Sequence, residues 1–164
     1  MLDTQMFFDK NRSAGYLVNH MARLFARELQ ARIAPLGLST GTFPALLVLW
    51  ETEGLTQREL VAALDIEQAT MANTLTRMER DGLIVRRGDA ADGRVQRVWL
   101  TPRARALRDP AVTAANTVNE AALGPLSKAE RETFIDMMSR IIATRGTGRG
   151  PGDEPEGRQA AADG

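Results

Sequence analysis

The sequence predicts a mainly α-helical chain with one small β-hairpin, and three observations predict it. Two short segments of helical apolar period, joined by a turn, occupy residues 56–82. Two strand-like runs follow at once, Leu83-Ile84-Val85-Arg86-Arg87 and Val95-Gln96-Arg97-Val98-Trp99-Leu100, around the turn signal Asp92-Gly93. Longer helical patterns flank this block on both sides. Helix, turn, helix and basic-tipped hairpin, in that order, is the sequence form of a winged helix-turn-helix, a module that lays one helix in the DNA major groove. The flanking helices are read as terminal dimerisation helices.

Residues 1–11 read as an N-terminal arm whose apolar cluster is Met6, Phe7 and Phe8, expected to pack on a neighbouring helix or subunit. Segment 12–36 holds a long helix, predicted from Ser13 to Ala34. Leu17, Met21, Leu24, Phe25, Leu29 and Ile33 recur in it at helical spacing, and Pro35 and Gly37 stop it. Ser39 or Thr40 is placed to cap the next helix. Phe43, Leu46, Leu47 and Trp50 make that helix apolar around much of its circumference, so it reads as core.

The winged module is placed in segment 37–101. Thr56 and Glu59 have capping-box spacing, in which each side chain satisfies a free N–H at a helix start. Leu60, Val61 and Leu64 give that helix its apolar stripe, and Asp65-Ile66-Glu67 makes the turn. The second helix is predicted to begin near Glu67 or Gln68, with Met71, Leu75 and Met78 inward. Gln68, Ala69, Thr70, Asn73, Thr74 and Arg77 are predicted to face outward as candidate groove contacts. Small and polar residues suit that role, because bulk blocks approach and acids repel phosphate. An Asn side chain can pair bidentately with adenine and an Arg with guanine. Gly82 is placed as the residue that ends the helix at positive φ.

Arg94 at the hairpin tip suits a narrow minor groove, where negative potential is enhanced. Asp92 has two readings, a carboxylate that orients the Arg94 guanidinium or a plain turn residue. Arg86 and Arg87 are candidates for phosphate contact or for salt bridges.

Segment 102–144 is read as further dimerisation helices. Thr101 and Pro102 open a helix predicted to reach about Leu123, rich in alanine, with Pro110 inside it. A mid-helix proline removes one hydrogen bond and clashes one turn back, so a kink or break is expected there. The small residues allow close helix approach, which fits a dimer interface. Gly124-Pro125 ends the segment, Ser127 and Glu130 have capping-box spacing, and Phe134, Met137, Met138, Ile141 and Ile142 form the stripe of a last helix. Residues 145–164 are rich in Gly and Pro, lack large apolar side chains and read as a disordered tail, with Arg145 and Arg149 as its only candidate DNA contacts.

Composition narrows the function classes. The chain has 164 residues with 43% hydrophobic content, enough for one domain or one subunit of an intertwined dimer. Its 21 basic and 21 acidic residues cancel, yet Arg77, Arg80, Arg86, Arg87, Arg94, Arg97, Arg103, Arg105 and Arg108 crowd the second helix and wing. A local basic patch is what phosphate binding requires, and a neutral total can hide it. There is no cysteine and one histidine, so neither a disulfide, a thiol switch nor a Cys/His metal cluster is available. No cofactor is expected. No apolar run approaches the ~18 residues of a membrane span. Asp3, Asp9, Lys10 and Arg12 interrupt any signal-peptide core, and a cytoplasmic location is expected. No phosphate loop, nucleophile elbow or metal-ligand cluster points to an enzyme.

Asp92-Gly93-Arg94 followed by Val98-Trp99-Leu100-Thr101-Pro102 resembles the wing signature of the MarR (multiple antibiotic resistance regulator) family. Met78-Glu79-Arg80-Asp81-Gly82-Leu83-Ile84 resembles the end of that family's recognition helix and its first wing strand. Gly37-Leu38-Ser39 resembles the turn between its first two helices, and Val118-Asn119-Glu120-Ala121-Ala122-Leu123, then Leu126-Ser127, resembles its fifth helix and the turn into the sixth. The resemblance covers residues 12–144; Ala104 departs from it, since many members have Gly there. It implies a transcription regulator, most often a repressor, that binds a pseudopalindromic double-stranded operator as a homodimer. It also implies release by a small, mostly aromatic or phenolic effector between the dimer helices and the winged module. Tyr16, His20, Phe43, Leu47 and Trp50 are the candidate lining, and each reads equally as ordinary core or helix surface. Members that sense peroxide through a cysteine are excluded as mechanistic models. The alternative function is a winged-helix module that dimerises or docks a protein without reading DNA.

Overall fold

A computed structural model describes residues 8–145. Met6, Phe7 and Arg149 lie outside them, and so do the readings made of the first residues and of the tail beyond Arg145. The chain divides into two compact units, the first ending at Ser127 and the second beginning at Lys128.

In the first unit, helix α1 spans Ala14–Ile33, capped by the Ser13 hydroxyl. Its stripe is only partly covered: Ile33 is buried, while Leu17 and Leu24 stay exposed. A short 3-10 turn at Ala34–Leu36 ends at Gly37. Helix α2, Phe43–Glu51, begins later than the Ser39 or Thr40 cap predicts. The reason is local. The Gln30 carboxamide oxygen accepts from the Thr40 N–H at 2.9 Å, and Ser39 closes a turn by accepting from Thr42 and Phe43. The helix then starts with Pro44 in its first turn, where the residue has no N–H and so needs no acceptor.

Helix α3, Gln57–Leu64, carries both halves of the Thr56–Glu59 capping box, at 3.1 and 2.7 Å. Helix α4, Gln68–Arg80, follows after Asp65 in the left-handed region. Met71, Leu75 and Met78 are fully enclosed, in a core built with Leu46, Leu49, Leu60, Ile84, Val98 and Leu100. Burial of each such side chain contributes roughly 1.5–3 kcal/mol. Gly82, at φ 69°, ends α4 as predicted. Its N–H donates to Glu79 O and that of Leu83 to Met78 O, the Schellman pattern.

The sheet has three strands, not the two of a lone hairpin. Strands β2, Ile84–Gly88, and β3, Gln96–Leu100, pair antiparallel, and the two-residue strand β1, Leu55–Thr56, adds to the other edge of β3. So short a strand leaves no alternation to read. The wing connection also differs from expectation. It runs over residues 89–95, and Gly93 is not at positive φ, so Asp92-Gly93 forms no two-residue hairpin turn. Val95 instead donates to Asp92 O within a longer loop, whose base is closed by Asp89 N–H on Val95 O at 2.8 Å.

The alanine-rich segment is divided into α5, Pro102–Ala106, and α6, Arg108–Ala122. The break at Leu107 follows Ala106, the residue four before Pro110, whose carbonyl the ring would strike. The small residues of α6 serve packing within the chain. Ala111 is buried, Ala114 and Ala115 pack on the core, and α6 lies against α1.

The second unit contains helix α7, Lys128–Arg145, none of whose residues is buried. Ile135, Met137, Met138, Ile141 and Ile142 are exposed. Among the described residues, no helix is long and apolar enough to cross a membrane.

Gly54 makes a close approach that a side chain would block. Its φ is +78°, and a Cβ there would lie 2.8 Å from the Trp99 ring. Gly54→Ala is expected to destabilise the protein by about 2–4 kcal/mol from backbone strain and overpacking, read as a lowered urea midpoint.

Candidate nucleic-acid interface

The outer face of α4 is set by its buried one. Gln68, Ala69, Thr70, Asn73 and Arg77 are all exposed. Thr74 is not. It is 4% exposed, because position 74 lies three residues after Met71 and four before Met78, on the flank of the buried stripe. The reading of Thr74 as an outward groove contact is therefore corrected. Its hydroxyl instead accepts from the Arg77 guanidinium at 3.4 Å. Thr76, which sequence reasoning passed over, is exposed and receives Arg86 Nη2 at 3.2 Å. The Gln57 carboxamide donates to the Gln68 side chain at 3.2 Å, linking the starts of α3 and α4.

The arginine cluster is thinner than its sequence density implies, because most of it is neutralised within the chain. Arg80 pairs with Asp81, Arg86 with Glu79, Arg97 with Asp89 and Glu59, Arg105 with Glu53, and Arg108 with Asp109. Arg86 is the most enclosed of the wing candidates: its side chain is 23% exposed and its Nε lies 3.2 Å from Glu79. That Nε makes no aligned hydrogen bond, so the attraction is purely ionic. Arg103 donates to Asp81 O at 2.8 Å. Among the described residues, Arg87 and Arg94 are exposed with no side-chain partner, and Arg77 has a long contact to Thr74 and a weak attraction to the Asp81 carboxylate.

Asp92 does not hold the Arg94 guanidinium. Its Oδ1 accepts from the Arg94 backbone N–H at 3.0 Å, an Asx turn that shapes the chain and leaves the side chain unpaired. The carboxylate that organises the wing is Asp89, which sequence reasoning missed. It accepts from the N–H groups of Ala91 and Asp92, at 2.7 and 3.1 Å, and from Arg97 Nε. Those donors hold the Asp89 carboxyl at about 2, below its ordinary 3.8, with the Arg97 hydrogen bond the largest cause. Glu53 is lowered for a similar reason. Arg105 grips it through two nitrogens at 2.7 and 2.8 Å, and the Leu100 N–H adds a third bond.

The five residues considered for an effector fall into two pairs and a lone side chain. Tyr16 and His20 meet edge to face on α1 with centroids 6.3 Å apart, and Lys10 lies 5.8 Å from the Tyr16 ring. Phe43 and Trp50 meet edge to face on α2 at 6.0 Å. Phe43 is buried, and the Trp50 indole donates to Ala104 O at 2.9 Å. Leu47 is exposed on α2. No ring contact joins the two pairs among the described residues. No cluster of His, Cys, Asp and Glu able to hold a metal occurs among those residues either.

Residues 36–95 match the family model described as MarR family. The chain is 33% identical over 107 residues to the transcriptional regulator HosA of Escherichia coli O157:H7, covering 65% of this chain and 79% of HosA. This chain belongs to the MarR family. A crystal structure of a probable transcriptional regulator from Pseudomonas aeruginosa matches with a TM-score of 0.76 and 30% identity, over 82% of this chain and all (100%) of that one. BpsR of Bordetella bronchiseptica matches with a TM-score of 0.75 and 25% identity, over 82% of this chain and 96% of that one. The BpsR structure concerns regulation of its DNA binding by 6-hydroxynicotinic acid. These relatives are transcriptional regulators, not enzymes. The MarR resemblance and the winged-helix fold expected from the sequence are thus established.

The Asp89 carboxyl makes the wing acid-sensitive. A group with a depressed folded pKa contributes stability above its unfolded value and loses it as pH falls through the folded one. The stability gap between wild type and Asp89→Asn is expected to be full above about pH 4 and to close between about 4 and 2, measured by urea denaturation across that range.

Proposed function

We propose that the chain is a cytoplasmic repressor that binds a pseudopalindromic operator as a homodimer and is released by a small aromatic or phenolic acid. The observation that carries the DNA reading is the outward face of α4 beside an unpaired wing arginine. Ala69, Thr70, Asn73 and Arg77 offer low bulk, hydrogen-bonding groups and one cation, and Arg94 offers a guanidinium no carboxylate neutralises. In this reading α4 enters the major groove and Arg94 the adjacent minor groove. Arg87 contacts phosphate. Arg86 supports α4 from beneath through Thr76 and Glu79.

The dimer reading rests on uncovered apolar surface. Tyr16, Leu17, Val18 and Leu24 on α1, and Ile135, Met137, Met138, Ile141 and Ile142 on α7, are exposed to an extent that a second copy would relieve. A twofold dimer would set two recognition helices about one DNA turn, ~34 Å, apart. The effector reading is supported by BpsR and by the aromatic side chains Tyr16, His20, Phe43 and Trp50. An effector that favours a different helix spacing would lower operator affinity by population shift.

In vitro selection from random duplexes is expected to enrich an inverted repeat whose half-site centres lie about 10 base pairs apart. Binding to that duplex, read by fluorescence anisotropy, should weaken steeply with salt. Arg94→Ala should weaken it by about tenfold, on the order of one lost base-edge or groove contact. 6-Hydroxynicotinate and related hydroxylated aromatic acids are the first effectors to assay for release. A pool that enriches nothing, with salt-independent association, would instead favour a protein-docking module.

A further inference from the structure

Arg97 is a second wing arginine, but every nitrogen that the geometry assigns is turned inward. Its Nε donates to Asp89 at the start of the wing loop. Its Nη1 donates to Gly54 O at 2.9 Å and lies 3.8 Å from Glu59 Oε2. Gly54 precedes β1, and Glu59 is the helical half of the capping box of α3. One guanidinium thus touches the wing loop, the approach to the edge strand and the first helix of the helix-turn-helix. The reach follows from register. Arg97 lies on the central strand, opposite Thr56 on one side and Arg87 on the other.

Asp89 carries this fixation toward the tip. Its second set of bonds goes to the Ala91 and Asp92 N–H groups, and Asp92 in turn accepts from the Arg94 N–H. The chain of contacts runs Glu59 and Gly54, Arg97, Asp89, Asp92, Arg94. Its last member is the guanidinium without a partner.

We infer that Arg97 and Asp89 are positioning residues for operator binding: their pair sets the wing loop against α3, so that Arg94 is held at a fixed offset from α4. The inference rests on the DNA reading of Arg94 given above. It assigns Arg97 no contact with DNA, since its Nε and Nη1 are turned to Asp89 and Gly54 and a carboxylate of α3 stands beside it.

Asp89→Asn separates positioning from charge. It keeps an oxygen for the Ala91 and Asp92 N–H groups while removing the negative partner of Arg97. It also makes the wing one charge more positive. If local charge alone governed affinity, the variant would bind DNA more tightly. Positioning requires it to bind more weakly, by about tenfold, the scale of one charge-assisted hydrogen bond.

The test uses the full chain and the duplex most enriched by in vitro selection, with Asp89→Asn, Arg97→Gln, Arg94→Ala and the Arg94→Ala/Arg97→Gln double variant. Affinity is read by anisotropy at protein concentrations where melting curves show each variant folded. Amide hydrogen exchange is read on the free proteins. Asp89→Asn and Arg97→Gln should both weaken binding, and the double variant should bind little worse than Arg94→Ala alone, because they act through the same guanidinium. Exchange should quicken at residues 89–95 and stay unchanged along α4. Tighter or unchanged binding by Asp89→Asn, or fully additive losses in the double variant, would overturn the positioning role. A wild-type affinity for Arg94→Ala would overturn the DNA reading beneath it instead.

Discussion

Three side chains on one edge of α4 carry the rest of the structure. Met71, Leu75 and Met78 are enclosed by residues from α2, α3 and the sheet, and this burial fixes the rotation of α4 about its own axis. With the inner face fixed, the outer face is fixed too. The Schellman turn at Gly82 then carries the end of α4 at Arg80 into the start of β2 at Ile84 through only Asp81, Gly82 and Leu83. The wing therefore takes its origin from the same burial that orients α4. A loosened core under α4 would rotate that helix and shift the wing with it.

Pro110 has an effect beyond its own helix. By ending α5 at Ala106 it separates Ala104 O from the N–H that a continuous helix would bring to it, and the Trp50 indole takes that acceptor. Around this short helix the chain is stitched on several sides. Thr101 Oγ1 donates to Gly82 O, Arg103 donates to Asp81 O, and Arg105 grips Glu53. Five residues of helix thus tie α2, the end of α4 and the loop before β1 to the start of α6.

What was legible in the sequence was local. The Thr56–Glu59 box, the positive φ at Gly82 and the break enforced by Pro110 each depend on residues within four positions of one another, and each is found. The stripe of α4 was legible except at its margin, where period alone does not say how far burial extends around the helix, and Thr74 fell on the wrong side. The wing interior was not legible. Arg97 meets Gly54 across 43 residues and Arg105 meets Glu53 across 52, and no local pattern announces such pairs. A count of arginines could not distinguish those facing solvent from those already neutralised. In a chain with 21 residues of each sign, most of the local excess was consumed inside the fold.

The chain has two tryptophans, and the fold has put them in different places. Trp99 lies half-buried in the central wing strand with its ring against Gly54, and Trp50 lies half-buried on α2 with its indole nitrogen on α5. Each indole is thus poised at a boundary where polarity changes with small displacements. The protein carries two intrinsic optical gauges, one at the wing and one beside the helix that joins α2 to the end of α4. Replacing either with phenylalanine isolates the emission of the other, so motion at the two places can be followed separately and without a dye.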